Sequence, residues 1–101
     1  MTAFRAFSLL FVIALGNSAF AGDIERACLG SDRSAANRPL CGCIQDAADL
    51  TLSTSDQRRA AAFFRDPHRA QEVRQSDRRA DEVFWDRYKQ FGEAAETFCR
   101  R

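Results

Sequence analysis

The sequence predicts an all-α protein: a small bundle of four to five helices, stapled by two disulfides, behind an N-terminal signal peptide. Three observations predict it. Apolar residues recur at helical spacing from Leu40 onward, with no strand-length alternation and few β-branched residues. The 101-residue chain carries four cysteines, an even number that reads as a disulfide framework in a small exported protein. Its first 21 residues have the layout of an export signal. The expected organisation is residues 1–21 as signal peptide and 22–101 as one helical domain.

Within the signal, Arg5 supplies the charge of the n-region and Ala6–Leu15 (AFSLLFVIAL) the apolar h-region. Ala19–Phe20–Ala21 has the small-x-small pattern read by signal peptidase, so cleavage is expected before Gly22. The apolar run is about half of the roughly 20 residues needed to span a bilayer. No stable membrane insertion is therefore expected once the signal is removed.

The first helix is expected over Asp23–Leu29, with Ile24, Ala27 and Cys28 inward and Gly30 as its stop. Ser31–Asn37 is a polar connection, and Asn37 caps a second helix that has Pro39 in its first turn. Leu40, Cys43, Ile44, Ala47 and Leu50 form its predicted inward row, ending near Leu52. Ser53 followed by Asp56 opens a third helix with Ala60, Phe63 and Phe64 inward. Asp66–Pro67 ends that helix and starts a fourth, in which Ala70 and Val73 point in. The last helix is the spine: Ala80, Phe84, Tyr88, Phe91, Ala95 and Phe98 share a stripe about 80° wide. Asp77 would fall inside that stripe in an unbroken helix, a costly burial. Ser76–Asp77 is therefore expected to cap a new helix.

Cys41 and Cys43 project about 200° apart on a helix, which disfavours a bridge between them. One can then face Cys28 and the other Cys99. The favoured pairing is Cys28–Cys41 with Cys43–Cys99, the swapped pairing staying open. Two sharper readings compete with structural bridges: Cys41–Gly42–Cys43 as a redox dithiol, or as metal ligands with Cys28, Cys99 or His68. Neither has a supporting second motif. No cofactor motif is present: no Gly-rich phosphate loop, GxSxG or HExxH.

After removal of residues 1–21 the chain holds fourteen basic and fourteen acidic residues, net zero. Such a balance argues against nucleic acid as a partner, and equally against an anionic membrane surface. Thirteen of the fourteen basic residues are arginine, the side chain suited to bidentate pairing with carboxylates. The charge runs read as solvated helix faces, with Glu82 reaching Arg78 and Glu93 reaching Lys89. His68, the lone histidine, reads as an exposed helix-start residue. Trp85 lies about 100° from the core stripe, on a flank that Arg74, Arg78 and Asp81 would share if the helices run nearly continuously. A tryptophan among arginines has the composition of a partner-binding hot spot. It also has that of a tryptophan covering a neighbouring helix under a stacked arginine.

Four stretches carry a resemblance: Cys41–Gly42–Cys43–Ile44–Gln45–Asp46, Ser55–Asp56–Gln57, Phe64–Arg65–Asp66–Pro67–His68 and Phe84–Trp85–Asp86–Arg87–Tyr88. They resemble small uncharacterised exported proteins of Gram-negative bacteria, some of which carry the label "arginine transporter". The resemblance implies a periplasmic or secreted protein and no catalytic residues. An 80-residue chain without a membrane span is no permease, so the label would mean an accessory role. The expectation is a non-enzymatic module whose partner is another periplasmic protein, with any small-molecule ligand left open.

Overall fold

The computed structural model describes residues 22–31 and 36–100; the expected signal peptide and Arg101 lie outside the described residues. Five helices follow in order: α1 (Asp23–Leu29), α2 (Arg38–Thr51), α3 (Thr54–Arg65), α4 (Pro67–Arg74) and α5 (Arg79–Cys99). No strand occurs among the described residues. The starts of α2, α3 and α4 are each set by a local side-chain oxygen that accepts a backbone N–H left free by the first turn. Asn37 accepts from the N–H of Leu40, Ser53 from Asp56 and Asp66 from His68. Asp66 serves both neighbours, because its own N–H also closes α3 on the Ala62 carbonyl.

α1 packs on α2 and α3, α2 lies against α5, and α4 bridges α3 and α5. Ile24, Ala48 and Ala60 are fully buried where the first three helices meet. Phe84 of α5 is buried beside them, with Phe63 of α3 set edge-on to both Phe84 and Tyr88 at 5.9 and 5.1 Å between centroids. Edge-to-face packing places the positive rim of one ring on the negative face of the next. Both disulfides form in the favoured pairing. Cys28–Cys41 joins α1 to the start of α2, and Cys43–Cys99 joins α2 to the end of α5.

Four expectations are corrected. Ala80 and Phe98 lie outside the core, and Phe98 is 69% exposed. At 21 residues α5 is about 31 Å long, against about 21 Å and 18 Å for α2 and α3. Its first and last turns are nevertheless tied to the bundle, the first by the Arg59–Asp81 pair and the last by the Cys43–Cys99 bridge, so it is the Ala80 and Phe98 side chains and not the turns that face outward. Leu50 is 76% exposed. The buried side of α2 holds Ala47, as expected, together with Cys41, Gln45 and Ala48, and Leu50 lies about 180° from Cys41. Asp77 caps nothing: Arg78 occupies the N-cap of α5, and Ser76 Oγ accepts the Arg78 N–H at 3.2 Å. Finally, Glu82–Arg78 and Glu93–Lys89 form no ion pairs. Lys89 turns to Asp86 at 3.5 Å, and two close pairs, Arg59–Asp81 and Arg87–Asp56, run between helices.

A buried glutamine pair, absent from the sequence expectations, sets the phase of α2. Gln45 Oε1 accepts the N–H of Glu25 at 2.9 Å, while Nε2 donates to Asp49 and to Gln57 Oε1 at 2.9 and 2.8 Å. Gln57 Nε2 donates in turn to Asp49 and to the Leu52 carbonyl. Gln45 thus caps α1 from a distance, and Gly22 at its N-cap leaves the room. A Cβ on Gly22 would stand 2.4 Å from the Gln45 amide.

Candidate functional site

Where α3, α4 and the start of α5 meet, the surface opens into a cleft of about 540 Å³. α3 contributes Arg58 and Arg59 on one wall and Ala62 and Phe63 on the floor. The chain break at Asp66–Pro67 turns α4 back over this face, so that Arg69, Glu72 and Val73 form the opposite wall. The connection to α5 closes the end with Ser76 and Arg78, and Asp81 enters from the first turn of α5. Four arginines therefore meet two carboxylates around an apolar floor.

Arg59 organises the inner end. Its guanidinium pairs with Asp81 and lies over the Phe84 ring, 4.5 Å from the centroid. The ring face is electron-rich, so the cation gains on both sides. Asp81 also accepts from Ser76 Oγ at 2.6 Å. That hydrogen bond and the Arg59 guanidinium, with Arg78 nearby, hold its carboxyl below the usual carboxylate range. At the mouth, Arg69 lies 3.7 Å from Asp66 and Glu72 lies 3.4 Å from His68. Arg58 and Arg78 are exposed, and neither side chain forms an ion pair among the described residues.

The sequence-predicted flank is divided. Arg78 joins the cleft. Arg74 is exposed at the last turn of α4 and does not line it. Trp85 is half-buried against the core, its ring 5.1 Å from that of Tyr88. It sits one helical turn after Asp81, hence on the same side of α5. No arginine stacks on it; the one cation–π contact among the described residues is Arg59 on Phe84. His68 stands exposed on α4, as expected.

The cysteines are placed differently from a dithiol. Cys41 and Cys43 belong to separate bridges, and all four sulfurs are paired. Cys28 and Cys41 are buried, whereas Cys43 and Cys99 are half-buried in an apolar groove with Pro39, Leu40 and Phe98. Two disulfides fit an oxidising compartment. No helix among the described residues is long and apolar enough to cross a membrane.

The chain matches no family model, no curated protein and no solved structure. What the site does is accordingly argued from its own geometry.

Arg58, Arg59 and Arg69 were not singled out by the sequence reading. Each sits in an ordinary charge run, and only the reversal at Asp66–Pro67 gathers them with Arg78. A tight helix–helix turn with arginines on both sides was the signal available.

Proposed function

We propose that this chain is an exported, non-enzymatic module of the periplasm that binds another protein through the cleft between α3, α4 and α5. One observation carries the reading: a recess lined by Phe63 and Val73 and rimmed by arginines, two of which, Arg58 and Arg78, form no ion pair among the described residues. Arginine beside apolar surface is the composition of binding hot spots. The stapled core offers a rigid platform, and rigidity lowers the ordering cost of association. Arginine as a free ligand does not suit this site. Its charge repeats that of the rim, and Asp81 and Glu72 already face Arg59 and His68.

The test is quantitative capture from periplasmic extract by the disulfide-intact chain beginning at Gly22, against an Arg58→Glu/Arg78→Glu variant. A protein retained by the parent and lost from the variant is the expected result. Identical bound material on both would overturn the reading.

A further inference from the structure

We propose that the cleft takes an acidic segment of its partner, a short stretch with two or more carboxylates beside an apolar side chain; the inference rests on the binding-module reading above. Three features choose this chemistry. The first is how the protein treats its own arginines. Arg87 forks onto Asp56, Nε to Oδ2 at 2.7 Å and Nη2 to Oδ1 at 3.3 Å, and Arg59 is taken by Asp81. The interhelical arginines are thus matched by carboxylates, while Arg58 and Arg78 present the same donors outward. A planar guanidinium fork fits a carboxylate in two parallel hydrogen bonds.

The second feature is the floor. Ala62, Phe63 and Val73 line the recess between the arginines, and a small hydrated anion gains nothing from them. A peptide side chain seated there removes apolar surface from water. The third is size and shape. About 540 Å³ lies within the range of about 300–1,000 Å³ typical of ligand pockets, with room for several side chains. A concave recess also suits an inserted segment better than a flat charged sheet of lipid headgroups.

Asp81 sharpens the selection. With Ser76 and Arg59 both directed at it, its carboxylate holds Arg59 against Phe84, so the innermost guanidinium is fixed before anything binds. The outer two arginines supply the remaining charge, Arg78 from within electrostatic reach of Asp81 and Arg58 with no ion pair among the described residues.

The experiment uses the disulfide-intact chain beginning at Gly22, with Trp85, its only tryptophan, as reporter one turn from Asp81. The probes are a synthetic decapeptide of alternating Glu and Leu, the same peptide with Gln for Glu, the same with Lys, inorganic phosphate, and phosphatidylglycerol vesicles. The Glu peptide is expected to bind at least about tenfold more tightly than the Gln peptide, and to weaken as salt is raised. Arg58→Glu/Arg78→Glu should abolish that preference and Arg58→Gln/Arg78→Gln reduce it. Both positions are exposed, so unchanged melting temperatures are expected and confirm that the variants fold.

Equal binding of Glu and Gln peptides would overturn the proposal. So would phosphate or vesicles binding as tightly as the Glu peptide with the same dependence on Arg58 and Arg78. A partner captured through the cleft that the Glu peptide fails to displace would sink the acidic-segment inference while leaving the binding module standing. Glu-peptide binding without any cleft-dependent protein would do the reverse.

Discussion

The two ends of this bundle are held by different physics. Around α1, α2 and α3 the chain is locked three times over: by the buried bridge Cys28–Cys41, by the fully buried Ile24, Ala48 and Ala60, and by the closed glutamine network. Around α4 none of its residues is buried, and its polar ties are exposed pairs such as Arg69–Asp66 and His68–Glu72. Exposed pairs contribute at most about 1 kcal/mol each. The contrast teaches that the cleft joins a locked wall on α3 to a loosely held wall on α4. The lower-stability end carries the second wall, as expected of elements that must accommodate a partner.

The comparison can be broken most forcefully by deleting core volume on each side. Phe84→Ala removes a buried ring with three aromatic or cationic neighbours and should cost about 3–5 kcal/mol in urea unfolding. Val73→Ala, on half-buried α4, should cost about 1 kcal/mol or less. Similar losses at the two sites would erase the distinction.

Next in size are the bridges. Replacing Cys28 and Cys41 together with alanine should cost about 3 kcal/mol, from the 13-residue separation they close. Stepwise reduction followed by alkylation and peptide mass mapping should open Cys43–Cys99 first, because both its cysteines are half-buried in an open groove while Cys28 and Cys41 are buried.

A smaller loss, about 1–3 kcal/mol, is expected for Gln45→Leu. It leaves the Glu25 N–H without its acceptor and strips Gln57 and Asp49 of a partner at the locked end. Thermal melts should show the loss, and hydrogen exchange should show it concentrated in α1.

Asp81→Asn gives the smallest effect and the one most dependent on pH. A carboxyl whose folded-state pKa is depressed contributes stability that is present above its unfolded value, about 3.9, and lost as pH falls through the folded value. Parent and variant should therefore differ at pH 7 and converge in strong acid. A gap that stays constant across that range would remove Ser76 and Arg59 as the cause.

Much of the architecture was legible because it is written in short-range chemistry. Asn37, Ser53 and Asp66 each needed only a side-chain oxygen at the right offset from a free N–H. The divergence of Cys41 and Cys43 on one helix disfavoured a bridge between them but left two pairings open, of which the favoured one forms. The inward row of α2 was misplaced because its apolar letters suggested Leu50, whereas a polar residue, Gln45, belongs to the buried side. A glutamine is buried when every hydrogen bond finds a partner, and those partners lie 20 and 12 residues away. Phe98 fits the periodicity of α5 but stays exposed in the open groove beside Pro39, Leu40 and the Cys43–Cys99 bridge. The cleft was the least legible part. Its arginines are ordinary surface residues until the Asp66–Pro67 reversal brings them face to face.

The bridge between Cys43 and Cys99 ties residues 56 positions apart, enclosing the greater part of α2 and all of α3, α4 and α5 in one covalent ring. A second, smaller ring runs from Cys28 to Cys41. A protease that nicks the exposed Arg78–Arg79 bond would leave both fragments attached, and they would part only on a reducing gel. Between Cys28 and Cys99, only the two peptide bonds flanking Gly42 belong to neither ring, and that glycine sits half-buried inside α2. Cutting the chain and dismantling it are therefore separate events, and the second requires a reductant.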